Sequence, residues 1–247
     1  MAAQSRTKTI LLTRPDMQAM RFAELLQRHF TSPISIIFSP LLRTEFLTLP
    51  IAGKEFDAVI FTSQTAVEAA RRMPDGAASL PRRAYCVGEQ TAKAAMGAGF
   101  DAISAGSNAA GLLEMLKPMR PSGRLLHLRG EISLGAVAES LNSAGIETFE
   151  AIVYGQIAQP LNEEALGLLR HTEPVFVPLF SPRSARLFSN EIAVHGSNAP
   201  LFIAALSPAV AQETVTLASA ALEIAESPDA AGMIGALSLL FATPPGP

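Results

Sequence analysis

Apolar residues fall along this chain in two alternating rhythms. Short apolar runs, the mark of buried strands, give way to stretches in which apolar positions recur every three or four residues, the mark of helices with one buried face. Residues 9–13 read as a short buried strand, and residues 17–30 as an amphipathic helix with apolar positions at Met20, Phe22, Ala23, Leu25 and Leu26. The same reading predicts strands at 34–38, 58–61, 85–87 and 102–104. Helices fall between them: one capped by Ser63 or Thr65 and running to about Met73, one at 90–98 and one at 110–116. Pro74-Asp75-Gly76 marks a turn. A second series follows, with strands at 125–128, 148–154, 175–179, 201–205 and 222–225, a helix at 134–144, further helices between, and a loose tail at 242–247. Strands alternating with helices of this length argue for parallel, doubly wound α/β sheets.

The second series echoes the first. I-L-L-T-R-P-D at 10–16 matches L-L-H-L-R-G-E at 125–131, which sets Arg14 against Arg129 and Asp16 against Glu131. F-T-S-Q-T-A-V at 61–67 matches L-F-S-P-R-S-A at 179–185, and V-G-E-Q-T-A at 87–92 matches L-S-P-A-V-A at 206–211. N-A-A-G at 108–111 closes against D-A-A-G at 229–232. The order is kept and the offset grows only slowly, so two α/β units of similar plan are expected to face each other across a cleft. Each holds about 120 residues, enough to bury its own core. Residues 39–46 and 150–156 are extended and both follow the second strand of their half, which makes them candidates for connectors between domains. The repeat leaves open whether the units are sequential or exchange segments.

Composition narrows the function. A chain with 49% hydrophobic and 17% charged residues is compact rather than disordered. A net charge of −3 without any cluster of Lys and Arg argues against nucleic acid as a partner. The apolar runs are broken well before the ~20 residues that span a bilayer. The opening residues, M-A-A-Q-S-R-T-K, lack the apolar core of a signal peptide, so a cytoplasmic location is expected, with no membrane partner. Cys86 is the single cysteine and sits in the apolar run 84–87, the setting of an inert core thiol rather than a nucleophile. His29, His127, His171 and His195 have none of the spacings a zinc site needs, and no metal is expected. G-x-G-x-x-G after the first strand, G-x-x-x-x-G-K-[ST] and G-x-S-x-G are all missing, so dinucleotide, nucleoside triphosphate and serine-hydrolase readings lose their usual support.

The repeated motifs lie where ligands collect in open parallel sheets, beyond the carboxyl ends of the strands. Ser181-Pro182, Ser207-Pro208 and Ser227-Pro228 suit helix starts, serine as cap and proline in the first turn. Capping accounts for Ser227-Pro228. The first two pairs recur at matching positions in both halves, with Ser63 answering Ser181 and Gly88-Glu89 answering Ser207-Pro208, so several helix N-termini should open onto one cleft. Free backbone N–H groups and the positive ends of helix dipoles bind carboxylates or phosphates without lysine. Arg14, Arg129 and Arg183 lie at or just beyond strand ends. They suit bidentate contacts to carboxylates, while Arg14 and Arg129 equally suit internal pairing with acids such as Asp16 and Glu131.

Together, Leu12-Thr13-Arg14-Pro15, Ile60-Phe61-Thr62-Ser63-x-x-Ala66-Val67, Val87-Gly88-x-x-Thr91-Ala92, Leu128-Arg129-Gly130-Glu131, Val153-Tyr154 and Phe180-Ser181-Pro182-Arg183-Ser184-Ala185 resemble the uroporphyrinogen-III synthase family. Each motif is short, but their order and spacing cover about 10–240 and make the set specific. The resemblance implies two flavodoxin-like α/β domains. One is built from 1–38 and 158–247 and the other from 43–149, joined by connectors at 39–42 and 150–157. It implies cyclisation of hydroxymethylbilane to uroporphyrinogen III, with loss of water and inversion of ring D through a spiro intermediate, in tetrapyrrole biosynthesis. That enzyme is a hydro-lyase and needs no cofactor. A monomer is expected.

The resemblance further assigns substrate binding to Arg14, Thr62, Ser63, Gln64, Gly88, Gln90, Thr91, Arg129, Ser181, Pro182, Arg183, Ser184, Ser207, Pro208 and Ala209. Tyr154 follows valine at the second connector and is the candidate acid that donates a hydrogen bond to the departing hydroxyl. By itself a lone tyrosine in a strand simply packs. One departure stands out: where the family usually has Gly-Pro-Thr-Thr-Ala, this chain has Ser207-Pro208-Ala209-Val210-Ala211, which leaves only backbone N–H groups at that turn. The other reading of the same chain is a non-catalytic two-lobed binding or sensor module that closes on a small polyanion, using the same cleft and arginines without any need of Tyr154.

Overall fold

A computed structural model describes residues 7–48, 55–74, 76–106, 108–132 and 136–243. In chain order the elements are β1 (Lys8–Leu12), α1 (Asp16–His29), β2 (Ile34–Phe38), β3 (Leu42–Phe46), β4 (Ala58–Phe61), α2 (Gln64–Arg71), a 3-10 turn (Gly76–Ser79), β5 (Arg83–Cys86), α3 (Glu89–Gly97), β6 (Asp101–Ser104) and α4 (Ala109–Met119). They continue with β7 (Leu125–Gly130), α5 (Val137–Ser143), β8 (Thr148–Ala158), α6 (Glu163–Arg170), β9 (Val175–Leu179), α7 (Pro182–His195), β10 (Leu201–Ala205), α8 (Pro208–Gln212), β11 (Ser219–Ile224) and α9 (Ala230–Ala242). The expected strands and helices are all present, with ends displaced by a few residues. The beginning of the helix expected at 134–144, Asp75 of the expected turn, residues 1–6 and the tail at 244–247 lie outside the described residues.

The chain divides into two compact units, Met1–Arg43 with Ile157–Pro247, and Thr44–Gln156. The first holds a five-stranded sheet in the order β11-β10-β9-β1-β2, and its registered pairs are parallel. Alternation along β1 builds two cores. Ile10 and Leu12 face α1 and α9 through Phe22, Leu26, Met233 and Leu237. Leu11 faces α6, α7 and α8 through Leu169, Phe188 and Val210. A sheet covered on both faces must be apolar on both, which is why β9 and β10 are buried at every position.

The second unit repeats this plan in the order β3-β8-β7-β4-β5-β6. Val59, Phe61, Leu126 and Leu128 pack against α2 and α3. Ala58, Ile60 and Leu125 pack against α4 and α5. Set side by side, β2-β1-β9-β10-β11 and β8-β7-β4-β5-β6 are one flavodoxin-like strand order, and the sequence repeat supplies the same equivalences. Leaving aside β3 at the edge, each sheet therefore takes two strands from one copy of the repeat and three from the other. The stretches expected as connectors fall in β3 and β8. Gln159 N–H donates to Leu41 O at 3.0 Å and Leu47 N–H to Val153 O at 2.9 Å, so these stretches run antiparallel.

Two local features explain the most exact echoes in the sequence. Asn108 and Asp229 cap α4 and α9, accepting from Gly111 N at 2.9 Å and Gly232 N at 2.8 Å. A Cβ on Gly111 would come within 2.6 Å of Ala105 O, and one on Gly232 would strike Ser227 O, so the fourth residue of both motifs must be glycine. Ser227 is not the cap of the last helix, as its Ser-Pro pairing suggested. Its hydroxyl donates to Asp229 at 2.9 Å, and the bonds from Gly232 N–H and Ser227 hold the Asp229 carboxyl below the usual range.

Candidate functional site

The residues singled out in the sequence gather at the carboxyl ends of the strands in each unit. In the second unit β5, β4, β7 and β8 are consecutive neighbours. Thr62, Ser63 and Gln64 lead from β4 into α2, and Gly88, Gln90 and Thr91 from β5 into α3. Arg129 lies on β7 and Tyr154 on β8. Ser63 is the N-cap of α2, its Oγ accepting from Ala66 N at 3.1 Å. Gly88 begins α3 without any side-chain cap, Gln90 is exposed, and Thr91 is buried.

Tyr154 reaches Ser63 because the sheet is irregular beside it. Register runs Leu128 to Ala151 and Arg129 to Ile152, then skips one residue so that Gly130 pairs with Tyr154. A one-residue bulge re-aims the following side chain. Tyr154 thereby joins Val153 on the α2 and α3 side instead of sharing the opposite face with Ile152. Its ring lies over Gly130, where an added Cβ would sit 2.7 Å from Cε2 and Cζ. Its carbonyl accepts from Glu131 N at 2.9 Å, and its phenol lies 3.0 Å from Ser63 Oγ. A half-buried phenol is thus held at the strand edge, one hydrogen bond from a helix N-terminus.

On the opposite face of the same sheet lies a chain of polar groups not anticipated as a unit. Thr62 Oγ1 is 3.3 Å from His127 Nε2, and His127 Nδ1 is 3.3 Å from Glu150 Oε1. Glu150 Oε2 accepts from Arg129 Nε at 2.9 Å, and Arg129 Nη1 donates to Gly130 O at 2.9 Å and Glu131 O at 3.3 Å. His127 is fully buried. Burial pushes its pKa down, outweighing the neighbouring Glu150 carboxylate, while Arg129 adds to the depression. Arg129 therefore pairs internally with an acid, one of the two roles the sequence allowed, but the acid is Glu150, and it reaches Glu131 only through a backbone carbonyl. The signal available for His127 was a histidine inside an otherwise apolar strand. Its partner Glu150 becomes evident only when register sets the two side by side.

A polar cavity of about 580 Å³ borders this chain, lined by Arg129, Glu131, Ala136, Ala138, Glu139, Asn142, Thr148 and Glu150. Of the residues assigned to catalysis or substrate binding from the sequence, only Arg129 is among those lining it.

In the first unit β10, β9 and β1 are neighbours. Ser181 caps α7, accepting from Ser184 N at 3.1 Å, and its hydroxyl lies 2.9 Å from that of buried Ser184. Pro182 and half-buried Arg183 form the first turn of the same helix. Ser207, Pro208 and Ala209 begin the five-residue α8, where the Ser207 side chain makes no capping bond. The Arg14 guanidinium stacks 3.8 Å from the centre of the Phe180 ring and donates to Gln18 Oε1 at 3.1 Å. Burial lowers its pKa from the usual arginine value. Arg14 thus has an evident packing role, while Ser181 to Ser184 present a capped helix end. The thiol of Cys86 is buried in the core of the second unit, which pushes its pKa up to about 12.

These features define a duplicated, doubly wound α/β protein whose polar groups line the carboxyl ends of both sheets. Among the described residues, no group of three or more His, Cys, Asp and Glu could hold a metal ion, and no helix is long and apolar enough to cross a membrane. The model of the family described as uroporphyrinogen-III synthase HemD matches residues 21–235, and the chain belongs to that family. Its fold is similar to that of uroporphyrinogen-III synthetase from Helicobacter pylori, with a TM-score of 0.56 at 18% identity, covering 94% of this chain and 100% of that one. A mutant uroporphyrinogen III synthase from the extremely thermophilic bacterium Thermus thermophilus aligns at a TM-score of 0.43 and 13% identity, over 95% of this chain and 98% of that one. No curated protein matches the sequence significantly.

Proposed function

We propose that this chain cyclises hydroxymethylbilane to uroporphyrinogen III, as a hydro-lyase, with Tyr154 as the acid for the departing hydroxyl. Membership of the family supports the reaction. The observation that carries the role of Tyr154 is its phenol, 3.0 Å from the hydroxyl that caps α2. Ser63 Oγ accepts from Ala66 N–H, and its own proton is free to be donated to the phenol oxygen. The phenol proton then points outward. A helix N-terminus polarises this chain and makes the phenol a better donor.

In this mechanism the hydroxyl leaves as water with the proton of Tyr154, giving an electrophilic azafulvenium cation and a tyrosinate. The substituted carbon of the terminal ring attacks it to form a spiro intermediate. The bond from that carbon to the methylene of the neighbouring ring then breaks and re-forms at the free α-carbon, and the proton lost there as the pyrrole regains aromaticity restores the phenol. The substrate carries acetate and propionate on every ring, and in the unit that holds Tyr154 the helix starts at Ser63 and Gly88 offer N–H groups for them. Holding a linear chain curved, with its reacting ends close, supplies the rest of the rate.

The test is direct. Purified protein supplied with hydroxymethylbilane, without added metal or nucleotide, is expected to give the type III isomer, and Tyr154→Phe to slow it by roughly 10²-fold. Formation of only the spontaneous type I isomer by the wild-type protein would overturn the activity. An unchanged rate in Tyr154→Phe would remove the acid role alone.

A further inference from the structure

The polar chain from Thr62 to Arg129 is not something the fold requires, because the fold is also built without it. In the sequence repeat, Leu12 corresponds to His127 and Phe180 to Thr62. In the sheets, Leu12 pairs with Phe38 as His127 pairs with Glu150. The first unit therefore places Phe180, Leu12 and Phe38 where the second places Thr62, His127 and Glu150. The arginines at the matching positions follow suit, Arg14 stacking on Phe180 and Arg129 pairing with Glu150. An apolar set fills this place in one unit, so the polar set in the other calls for a reason beyond packing.

Hydrogen-bond direction supplies one. The Glu150 carboxylate, which accepts from Arg129 Nε through one oxygen, accepts through the other as well, so His127 Nδ1 carries the proton and donates to it. Burial keeps the ring neutral, which leaves Nε2 with a lone pair and nothing to donate. Thr62 must then donate its hydroxyl proton to Nε2. The lone pairs of Thr62 Oγ1 remain for whatever meets the half-buried edge of the sheet. A threonine hydroxyl, ordinarily free to donate or accept, is fixed here as an acceptor.

We propose that His127 is a positioning residue that locks Thr62 as a hydrogen-bond acceptor for a pyrrole N–H of the substrate. This rests on the reaction proposed above. When the C–O bond of the hydroxymethyl group breaks, positive charge spreads onto the pyrrole nitrogen and its N–H becomes a stronger donor. An oriented acceptor bonds that state more tightly than the ground state and so acts on kcat. Arg129 pairs with Glu150, Glu150 fixes the imidazole tautomer, and the tautomer fixes Thr62.

The experiment compares Thr62→Val, His127→Phe and the double variant, following type III formation and thermal melting. The wild-type isomer assay comes first, so failure of the reaction itself is seen separately. Each single variant is expected to lower kcat roughly tenfold with little change in KM, the size of one oriented hydrogen bond. The double variant should be no slower than Thr62→Val, since both changes remove the same bond. Multiplying effects, or a His127→Phe protein that melts earlier with unchanged kcat, would overturn the proposal. If His127→Phe does not fold, Glu150→Gln at the partly exposed end carries the test. It should lower kcat in the wild-type background and have no further effect beside Thr62→Val. An equal effect in both backgrounds would overturn the proposal.

Discussion

Gly130→Ala adds a single methyl group and tests how Tyr154 is held. Built on the strand, the new Cβ lies 2.7 Å from Tyr154 Cε2 and Cζ and 2.9 Å from the phenol oxygen. Carbon atoms settle at about 3.5–4.0 Å, so the ring must retreat by about 1 Å. The glycine sits in β7 and not at positive φ, so alanine is at ease in the backbone and the cost falls on the ring. A retreat of that size stretches the 3.0 Å bond to Ser63 beyond the range of a good hydrogen bond. Overpacking a filled site costs about 1–3 kcal/mol, of which the lost bond accounts for about 1 kcal/mol.

The assay is urea denaturation followed by circular dichroism, since the chain has no tryptophan, on wild type, Gly130→Ala, Tyr154→Ala and the double variant. In the Tyr154→Ala background there is no ring to displace. Gly130→Ala should there be neutral, or stabilising by about 0.4–1 kcal/mol through the unfolded chain. The expected coupling is roughly 2 kcal/mol, well above the ~0.3–0.5 kcal/mol scatter of independent sites. An equal cost in both backgrounds would show that the ring does not rest on Gly130 and would refute the reasoning.

Three other outcomes follow from individual residues. Arg14→Ala should destabilise by about 1 kcal/mol through loss of the stack on Phe180, and Arg14→Lys should restore little of it because an ammonium lacks the planar face; an unchanged melting temperature would make the stack incidental. His127 has its folded-state pKa below the unfolded value of about 6.5, so below that pH the unfolded chain binds the extra proton. Stability contributed by the neutral ring is present above about pH 6.5 and is lost as pH falls through the lowered value, with a slope of at most about 1.4 kcal/mol per pH unit. His127→Phe should flatten that slope, and a slope unaltered by the substitution would assign it elsewhere. Cys86, buried and with its pKa raised to about 12, should resist thiol reagents in the native protein at pH 8 and react after denaturation; rapid native labelling would show that the core opens.

The strands were legible because sheets covered on both faces need unbroken apolar runs, as in β9 and β10. The caps at Ser63 and Ser181 were legible because capping is local chemistry. Ser227 misled for the same reason: Asp229, two residues on, offers a stronger acceptor to the helix start. The polar chain was not legible. His127 and Glu150 are brought together by strand register, and register is fixed by the whole sheet. The direction of Tyr154 depends likewise on one extra residue in β8, which no local pattern announces. The mixed assembly of the sheets, each drawing strands from both copies, was left open because the repeat reads alike with or without it.

The duplication separates what the framework needs from what the chemistry needs. Helix starts are kept in both units: Ser63 and Ser181 each accept from the third residue beyond them, and so do Asn108 and Asp229. Those positions answer to orphan N–H groups that every such helix has. Both units gain one residue on the second strand beyond this point, Leu41 N–H donating to Thr13 O after Ser39 N–H donates to Leu12 O, and Gly130 pairing with Tyr154 after Arg129 pairs with Ile152. A bulge disrupts the ladder and re-aims a side chain, and in the second unit the side chain it re-aims is Tyr154. That shift, the glycine beneath the ring and the buried histidine all fall within β7 and β8. The unit that broke the symmetry is accordingly the one in which substitutions should separate kcat from melting temperature, while matching changes at Leu12 or Phe38 should move stability alone.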